Sequence, residues 1–375
     1  MLYQLQSTGR VPSLSPRPIS RASSALRTFR RTASTSMPRP YRFHVCANWL
    51  SAPPEHGMKK RGVPFPADSP VGIWRDLSLT WPRPGNSKTP GEDFFYVQEV
   101  RGISFGVADG VGGWASSGID PSLFSQALMY HSHRYAKVGW AGEPEVDTTQ
   151  DYEDREAVEG WELHPRECLK LAYQATLRER SVIAGSSTAC LITLNASSGL
   201  LRAANLGDSG FMIIRCSSVF HRQRAQTHFF NCPKQLAKIP SVIRRSSGAV
   251  TDSPEDADVY ETKLRDGDLG HCICRYHCHI SASTLLISIC QTDGLSDNVF
   301  NHEITSICTL VSRSGVSEEA QVKLISDRIV EYARGCMFNE RRTSPFQSKI
   351  QISQLHDSEF NPLFSRGSGH EWDSL

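Results

Sequence analysis

The amino-acid sequence predicts an α+β fold in which antiparallel sheets carry helices on their faces. Segments with the two-residue periodicity of strands occur in blocks, and segments with helical periodicity lie between and after these blocks. Short turns rich in Gly, Asn, Asp and Ser separate the strand-like segments, as they do in antiparallel sheets. A parallel doubly wound sheet would need strands and helices to alternate one by one, so the block arrangement favours the α+β class.

Two blocks of strands are predicted. Phe94–Val100 and Ile103–Ala108 form the first block, and Thr188–Leu194, Leu200–Leu206 and Phe211–Arg215 form the second. The turn sequences NASSG and GDSG separate the three strands of the second block. They predict that these three strands form a meander within one sheet.

Three helices are predicted from capping residues and apolar spacing. Asp120 is placed to cap a helix that begins at the next residue, and a second helix is predicted over Pro165–Arg180. Ser317 is placed to cap a third helix over Glu318–Arg334, which Gly335 is expected to end. The apolar residues expected on the buried faces are Leu123, Phe124, Ala127, Leu128, Leu169, Ala172, Tyr173, Leu177, Val322, Ile325, Ile329 and either Tyr332 or Ala333.

The segment Met1–Pro54 has the composition of a mitochondrial transit peptide. It contains eight arginines, no lysine and no acidic residue, and the first acid is Glu55. Within it, the stretch SRASSALRTFRRTASTSM can form a helix with arginines on one side and Leu26 and Phe29 on the other. We therefore expect import into the mitochondrial matrix, with a disordered basic tail as the alternative.

The rest of the chain divides into three parts. Residues 55–90 are rich in Pro and Gly and are predicted to be irregular, residues 91–346 form the predicted domain, and residues 347–375 form a divergent tail. No run of eighteen apolar residues occurs, so no membrane span is predicted. The eleven cysteines lie mostly in apolar runs and are expected to be reduced.

Charge and composition bound the kind of partner. With 39% hydrophobic and 21% charged residues among 375, the composition is that of a globular protein. The whole chain carries a net +2 and the leader carries +8, so the remainder carries −6. A mildly acidic body gives no argument for a nucleic-acid partner.

Four acidic clusters stand where predicted strands begin or end. The run FGVADGVGGW ends a strand at Asp109 and Gly110, GEDFF begins one with Glu92 and Asp93, and GDSG and TDGLSDNV follow later. Asp-Gly is also a common turn dipeptide, and a single occurrence would favour a turn. Carboxylate and carbonyl oxygens are the ligands that hard divalent cations prefer, so four such clusters in order favour a metal site.

Phosphate ester hydrolysis is the reaction that such a site suits. Two divalent cations need about four to six carboxylate or carbonyl oxygens, and waters fill the remaining positions on Mg²⁺ or Mn²⁺. A water between the cations has a pKa of about 7 instead of about 15.7, so hydroxide is available for in-line attack on phosphorus. The cations also neutralise the charge that develops on the phosphoryl oxygens.

The chain resembles the metal-dependent PPM (protein phosphatase 2C-like) serine/threonine phosphatases in five motifs, which occur in the order GEDFF, FGVADGVGGW, GSSTACLITL, AANLGDSGFMII and TDGLSDNVF. Three segments are most similar to the family's small mitochondrial branch, namely ADGVGGW, the DPSLFS that follows it, and the later THFFNCPKQL. The resemblance covers the chain from Gly91 to Phe346. It implies a four-layer αββα sandwich of two antiparallel sheets flanked by helices, with a binuclear metal site at one end.

The resemblance also implies roles for the acids. Asp109 would bridge both metals, and the carbonyl oxygen of Gly110 would bind one of them. Glu92 and Asp93 match the family's upstream acidic pair, and Asp293 matches the ligand of the other metal. Asp109 and Asp293 are therefore the candidate catalytic residues, and a pair of Mn²⁺ or Mg²⁺ ions is the expected cofactor.

Four other positions leave alternatives open. Asp208 and Asp297 match positions that hold a weaker third metal in some relatives, and capping of a turn is an equal alternative for both. Lys88 stands near the position of a phosphate-gripping arginine and is the candidate phosphate-binding residue, with a solvated loop lysine as the alternative. Val111 stands where many relatives have a proton-donating histidine.

Two departures from the family pattern bear on activity. An insert at about residues 270–286 interrupts the approach to Asp293, and its Cys and His spacing is not typical of a zinc site, so a misassigned coding segment is the preferred explanation. After Phe346 the chain lacks the glycine turn and the aspartates that complete a metal site in relatives. Neither Asp357 nor Asp373 is assigned to that role.

The leading hypothesis is a protein phosphatase that hydrolyses phosphoserine and phosphothreonine in mitochondrial phosphoproteins. The alternative is a catalytically impaired regulatory or phosphoprotein-binding protein with the same fold, because the last metal-ligand aspartate is missing. A nucleotide-binding module is disfavoured, since GVADGVGG matches neither a P-loop nor a dinucleotide fingerprint.

Overall fold

The computed structural model describes residues 41–50, 64–80, 90–99, 102–141, 162–196, 198–240, 251–264 and 286–351. Several positions considered above lie outside these ranges, namely residues 1–40, Lys88, residues 270–285, Asp357 and Asp373. Within the described ranges, no helix has both the length and the apolar character needed to cross a membrane.

The elements follow one another in blocks, as predicted. The first elements along the chain are α1 (Pro70–Ser78), β1 (Phe94–Glu99), β2 (Gly102–Ala108), α2 (Ser122–Ala141) and α3 (Pro165–Arg178). The strands that follow are β3 (Gly185–Ser187), β4 (Ala189–Asn195), β5 (Leu200–Leu206), β6 (Gly210–Arg215), β7 (Ser218–Arg222), β8 (Thr227–Phe229), β9 (Cys232–Pro233), β10 (Leu236–Lys238), β11 (Asp258–Lys263) and β12 (Leu286–Gln291). The last helices are α4 (Asp293–Ser296), α5 (Asn301–Ser312) and α6 (Glu318–Met337), and a further helical segment covers residues 345–351.

Two antiparallel sheets form the centre of the fold. The first has the strand order β1-β2-β4-β5-β11, and the second has the order β12-β6-β7. Two short pairs, β3 with β10 and β8 with β9, lie beside them. In the first sheet Phe94 stands opposite Ala108, and in the second Gln291 stands opposite Gly210. These registers bring the start of β1, the end of β2 and the ends of β5 and β12 to one end of the molecule.

Alternation along the central strands produces four layers. Leu191 of β4 packs with the buried faces of α2 and α3, while its neighbours Cys190 and Ile192 pack against the second sheet. In β6, Ile213 faces the first sheet and Met212 faces α5 and α6. The layers are therefore helices, sheet, sheet and helices, which confirms the predicted αββα class.

The predicted helices agree with the structure except at two C-terminal ends and at one side chain. Helix α3 ends at Arg178 and not at Arg180, and Leu177, predicted to be buried, is 37% exposed in its last turn. The Asp120 carboxylate caps α2 by accepting hydrogen bonds from the Ser122 N–H (3.0 Å) and the Ser122 hydroxyl (2.7 Å). The prediction that Gly335 ends α6 is wrong, because the helix continues to Met337. A glycine within a helix costs about 1 kcal/mol, and packing of the adjacent Cys336 against the helix–sheet core offsets this cost.

The predicted meander of three strands is wrong for its last strand. β4 and β5 pair, but β6 lies in the other sheet, between β12 and β7. Gly207 has a φ of +99°, and its carbonyl oxygen accepts hydrogen bonds from Asn205 Nδ2 (3.2 Å) and the Gln226 N–H (2.9 Å). The GDSG turn therefore carries the chain from one sheet to the other, where it places Asp208 at the end of both.

The segment 55–90 is not irregular throughout, and the prediction is wrong for α1. Ser69 caps this helix by accepting a hydrogen bond from the Gly72 N–H at 3.1 Å, and Pro70 occupies its first position. The Trp74 ring packs against Phe94 at 5.3 Å and Tyr130 at 5.6 Å. The Pro- and Gly-rich composition of the segment did not indicate helix α1, whose Trp74 packs against the core.

Residues 41–50 also pack against the folded body. The Tyr41 N–H donates to the Ala196 carbonyl oxygen at 3.2 Å, and Asn48 Nδ2 donates to Asp327 Oδ1 at 3.0 Å. The first contact lies on the first sheet and the second lies on α6, so the segment spans the layers. The predicted leader boundary at residue 54 therefore overlaps a part of the chain that belongs to the folded domain.

The apolar side chains of this segment enclose the space between the sheets. Phe43 and Val45 pack on the inter-sheet core, and the Trp49 ring lies 5.2 Å from that of Phe95. Partly buried side chains of this size contribute about 1–2 kcal/mol each. The segment therefore stabilises the sandwich.

A substitution tests this contribution. We expect Phe43→Ala to lower the free energy of unfolding by about 1–2 kcal/mol in urea denaturation, because apolar surface between the sheets becomes exposed. Leu310 is 64% exposed on α5, so Leu310→Ala is a control that should change stability by less than about 0.5 kcal/mol. Equal effects of the two substitutions would mean that residues 41–50 do not stabilise the domain.

A polar cluster holds the chain after α6 against the start of α5. Glu303 accepts hydrogen bonds from the Phe300 N–H (2.8 Å), the Tyr332 hydroxyl (2.7 Å) and Arg342 Nη1 (2.8 Å). Arg342 also donates to the Asn298 carbonyl oxygen at 3.4 Å. The Arg342 guanidinium lowers the pKa of Glu303 from 4.5 to about 2. The ion pair therefore fixes the path of the chain toward residues 344–351.

This ion pair should make stability depend on acid pH. The pKa of Glu303 is depressed in the folded state, so its stabilisation is complete above about pH 4.5 and is lost as the pH falls toward about 2. We expect Glu303→Gln to reduce the free energy of unfolding by about 1–2 kcal/mol at pH 6 and by less at pH 3.5. Urea titrations at both pH values measure this, with the exposed Glu340→Gln as control. A loss that is the same at both pH values would contradict the assignment.

Candidate active site

The acids predicted from the sequence meet at one end of the sandwich. Glu92 and Asp93 precede β1, Asp109 follows β2, and Asp293 follows β12. Because β1 and β2 are antiparallel neighbours, the start of one lies beside the end of the other. Asp208 lies in the turn between β5 and β6, at the same end. Strand pairing and sheet packing therefore bring together side chains that are far apart in sequence.

Asp93, Asp109 and Asp293 form a partly buried group of carboxyls, in which Asp109 contacts the other two. The Asp109 carboxyl lies within hydrogen-bonding range of those of Asp93 and Asp293. Burial, together with the charges of Asp93 and Asp293, raises the pKa of Asp109, and burial also raises that of Asp93. Thr292 Oγ1 donates to Asp93 Oδ2 at 2.9 Å, and the Asp109 N–H donates to Thr188 Oγ1 at 3.2 Å. These threonines orient the group from two sides.

Glycines allow Glu92 to approach this group. A Cβ atom on Gly110 would lie 2.6 Å from the Glu92 carbonyl oxygen and 2.7 Å from that of Pro121. A Cβ atom on Gly112 would lie 2.7 Å from Glu92 Oε2. The Ser125 hydroxyl donates to the Glu92 carbonyl oxygen at 2.5 Å. The glycines in ADGVGG therefore make room for the backbone and side chain of Glu92.

Asp208 and Asp297 form a second, outer group of acids. Burial, followed by the charge of Asp293, raises the pKa of Asp208 to about 6, and burial raises that of Asp297. Asp297 Oδ1 accepts a hydrogen bond from Lys349 Nζ at 2.7 Å, and its carbonyl oxygen accepts one from the Phe346 N–H at 3.2 Å. No local sequence signal predicts a role for Lys349, which belongs to the divergent tail and is brought close only by tertiary folding.

The serines of GSST have a structural role. Ser186 Oγ accepts a hydrogen bond from Trp114 Nε1 at 2.7 Å, and the Ser186 carbonyl oxygen accepts one from the Val111 N–H at 3.1 Å. Gly110 bridges to Ser187 of β3. These contacts hold the glycine-rich turn on the sandwich. Lys88, the predicted phosphate-binding residue, lies outside the described ranges, and its role stays a prediction.

The donor set fits divalent cations in its chemistry. Within the described ranges, no group of three or more His, Cys, Asp or Glu side chains is arranged to hold a metal ion as it stands. The acids instead contact one another, and buried carboxylates in contact require a proton or a cation between them. Hard oxygen donors of this kind suit Mn²⁺ or Mg²⁺. The metal-ligand assignments of Glu92, Asp93, Asp109, Gly110, Asp208, Asp293 and Asp297 stay predictions.

A cleft of about 360 Å³ opens beside the acids. Asp208, Asp293 and Asp297 line one part of it, and Arg222 and Lys349 line another. Its size is within the range of ligand-binding clefts. A phosphorylated side chain could thus meet acids that suit metals and cations that suit phosphate in the same space.

Known proteins similar to this chain decide its family. No protein-family model matches it. A protein phosphatase PTC7 homolog, fig of Drosophila willistoni, is 32% identical over 310 residues, which cover 82% of this chain and 85% of its own. The PTC7 homolog of Xenopus laevis is 33% identical over 258 residues, which cover 68% of this chain and 72% of its own. The chain belongs to the PPM family of protein phosphatases.

The solved structures agree with this assignment. The X-ray structure of the photosystem II phosphatase PBCP is 27% identical in sequence to this chain and superposes on it with a TM-score of 0.50. The match covers 71% of this chain and 81% of the PBCP chain. The family resemblance drawn from the five motifs is therefore confirmed. The protein is a serine/threonine protein phosphatase by family and fold. Assignment to the family's mitochondrial branch stays a prediction.

The glycines of the ADGVGG turn provide a matched pair of variants, one at Gly110 and one at Gly113. We expect Gly110→Ala to lower the free energy of unfolding by about 1–3 kcal/mol, because its Cβ would collide with two backbone carbonyl oxygens. A Cβ on Gly113 would meet no atom within 4 Å, so Gly113→Ala should be close to neutral. Thermal and urea denaturation of both variants provide the measurement. If Gly110→Ala is as stable as Gly113→Ala, the turn does not depend on close approach at Gly110.

Proposed function

We propose that this PPM-family phosphatase hydrolyses phosphoserine and phosphothreonine in mitochondrial phosphoproteins with the help of two Mn²⁺ or Mg²⁺ ions. The observation that carries the proposal is the convergence of Asp93, Asp109 and Asp293 at one end of the sandwich, where β1 begins and β2 and β12 end. Three carboxyls in contact have a charge that cations would balance. Asp293 also lines the adjacent cleft, through which a substrate phosphate would approach this group of acids.

The residues of this chain would divide the work. Asp109 and Asp293 would hold the cations, with Glu92, Asp93 and the Gly110 carbonyl oxygen as further ligands. When bound, such a pair supplies Lewis acidity, makes water nucleophilic at neutral pH and balances charge on phosphoryl oxygens.

Neighbouring residues would position this machinery. The hydroxyl groups of Thr188 and Thr292 hold Asp109 and Asp93 in place. Val111 has no proton to donate to the leaving group, so that proton would come from water in the cleft.

Location in the mitochondrial matrix is part of the proposal. The acid-free, arginine-rich composition of the first 40 residues supports it. Because residues 41–50 pack on the domain, we expect any cleavage that keeps the fold intact to occur before Tyr41. Sequencing the N-terminus of protein isolated from mitochondria would test both points, and a mature chain that starts after Leu50 would contradict the second.

A second candidate function is phosphoprotein binding without turnover. One observation favours it, namely that Lys349 already supplies a positive charge to Asp297. In this case the outer acids would not recruit a cation, and the site would lack part of the catalytic machinery. Measured turnover separates the two functions.

Replacement of Asp109 tests catalysis directly. We expect Asp109→Asn to reduce manganese-dependent hydrolysis of p-nitrophenyl phosphate by about 10³-fold or more, because it removes the charge at the centre of the acid group. Asp76 on α1 has a side chain that is 51% exposed, so Asp76→Asn is a control with the same chemical change and should keep full activity. Calorimetric titration with Mn²⁺ should show weaker binding to Asp109→Asn only.

The wild-type protein decides between the two functions. Folded, manganese-saturated protein that hydrolyses neither aryl phosphate nor phosphopeptide would contradict the phosphatase proposal. If it still bound phosphopeptide, the second candidate would take its place.

A further inference from the structure

The chain between the GDSG turn and β11 is free of acidic residues over a long stretch. No Asp or Glu occurs between Asp208 and Asp252, whereas the same stretch contains several arginines and lysines. Its described part includes residues 218–238, which form β7 to β10 and are named the basic ribbon here. The body of the protein is acidic outside the leader, so this ribbon is a local reversal of charge.

The basic ribbon is exposed along most of its length. Arg222 and Arg224 are exposed, and Phe229 and Phe230 are 69% and 47% exposed. Among the described residues, none hydrogen-bonds the guanidinium groups of Arg222 and Arg224. Large aromatic side chains at the surface beside uncommitted arginines are typical of protein-recognition surfaces.

The ribbon continues into the cleft beside the catalytic acids. A β-bulge between Ile213 and Ile214 shifts the register so that Arg222 stands opposite Met212. Residues that stand opposite each other in an antiparallel pair share a face, so Arg222 lies on the same side of the sheet as Met212. Arg222, Thr227 and Phe230 line the cleft together with Asp293.

The opposite wall of the cleft has the same character. Phe346 lies with its ring 5.9 Å from that of Phe230, and the Lys349 side chain is 46% exposed beside Asp297. The lining of the cleft therefore combines acids, an aromatic pair and cations. A ligand that complements this lining has a phosphate group and further negative charge next to it.

We propose that the basic ribbon docks an acidic stretch of the phosphoprotein substrate, so that phosphoserine or phosphothreonine flanked by Asp or Glu is preferred. This inference rests on the proposed phosphatase function, because it assigns a substrate class to the same site. Charge complementarity selects this occupant over a neutral or basic segment. Arg222 and Arg224 are the specificity residues, and Phe230 provides apolar contact.

Two phosphopeptides and two double variants test the inference. The peptides share one phosphoserine core and differ only in their flanks, which are Asp and Glu in one and Ser and Gly in the other. The test variant is Arg222→Glu with Arg224→Glu. The control variant is Lys263→Glu with Arg313→Glu, which changes net charge equally at exposed positions. Lys263 stands opposite Leu200, at the far end of the first sheet from the acids, and Arg313 follows the C-terminus of α5.

The measured quantity is the ratio of kcat/KM for the acidic peptide to that for the neutral peptide. We expect this ratio to be about 10 or more in the wild type, to fall about ten-fold or more in the test variant and to be unchanged in the control. It should also shrink between 50 and 300 mM salt, because exposed charges are screened. The same ratio in all three proteins would overturn the inference.

A binding measurement separates this inference from the proposed function. Fluorescence anisotropy with non-hydrolysable phosphonate versions of both peptides reports docking in protein that is folded but inactive. Loss of hydrolysis with retained preference for the acidic peptide would refute only the catalytic proposal. Hydrolysis without that preference would refute only the docking inference. Tighter binding of a single-stranded RNA with the same net charge than of the acidic peptide would also refute it.

Discussion

Mutual repulsion among closely placed, partly buried carboxyl groups is the constraint on which the functional end of this structure depends. Asp93, Asp109 and Asp293 are held close together although ionised carboxylates at such a site repel one another. The pairing of β1 with β2 positions the first two, and the packing of one sheet against the other brings the third. The inter-sheet core therefore supports the site as well as the fold, because weaker packing would allow the acids to separate.

The acids divide into two groups according to how their charge is balanced. Among the described residues, no Lys, Arg or His forms an ion pair with Asp93, Asp109 or Asp293, so this inner group must share protons or take up cations. The outer Asp297 has Lys349 as its partner. Any ion that binds the folded state and not the unfolded chain would stabilise the protein. Stability and cofactor binding are thus linked most strongly at the inner group.

Local sequence signals predicted the elements and the acids well. Leu200–Leu206 has the predicted bounds because apolar alternation and the flanking turns are local properties. The acids at strand ends are predicted for the same reason, since a strand that stops at Asp-Gly can be recognised from a window of about ten residues. Their meeting at one point depends on which strands pair, and only the family resemblance supplied that information.

The predictions that were wrong concern contacts between distant parts of the chain. The GDSG turn reads as a hairpin, but its glycine geometry and the bonds to Gln226 send β6 into the other sheet. Gly335 reads as a helix end, but packing beyond it extends α6. The leader is predicted to be a transit peptide and the Pro-rich segment to be irregular, but parts of both pack against Phe95 and Phe94 of β1. Tertiary packing overrides local preference in each case.

The divergent tail changes the charge balance at the site through a long-range contact between Lys349 and Asp297. Three contacts hold the start of the tail and the residues just before it. They are the ion pair of Arg342 with Glu303, the hydrogen bond from the Phe346 N–H to the Asp297 carbonyl oxygen, and the ion pair of Lys349 with the Asp297 carboxylate. Together they bring a lysine to Asp297, which the family resemblance makes a candidate ligand of a weaker third metal, so part of the positive charge at this end comes from the chain itself. The demand for divalent cations is then concentrated on the inner acids. The exposed face of the same lysine adds to the cations of the basic ribbon, so the tail contributes both to charge balance and to the surface that an acidic substrate would meet.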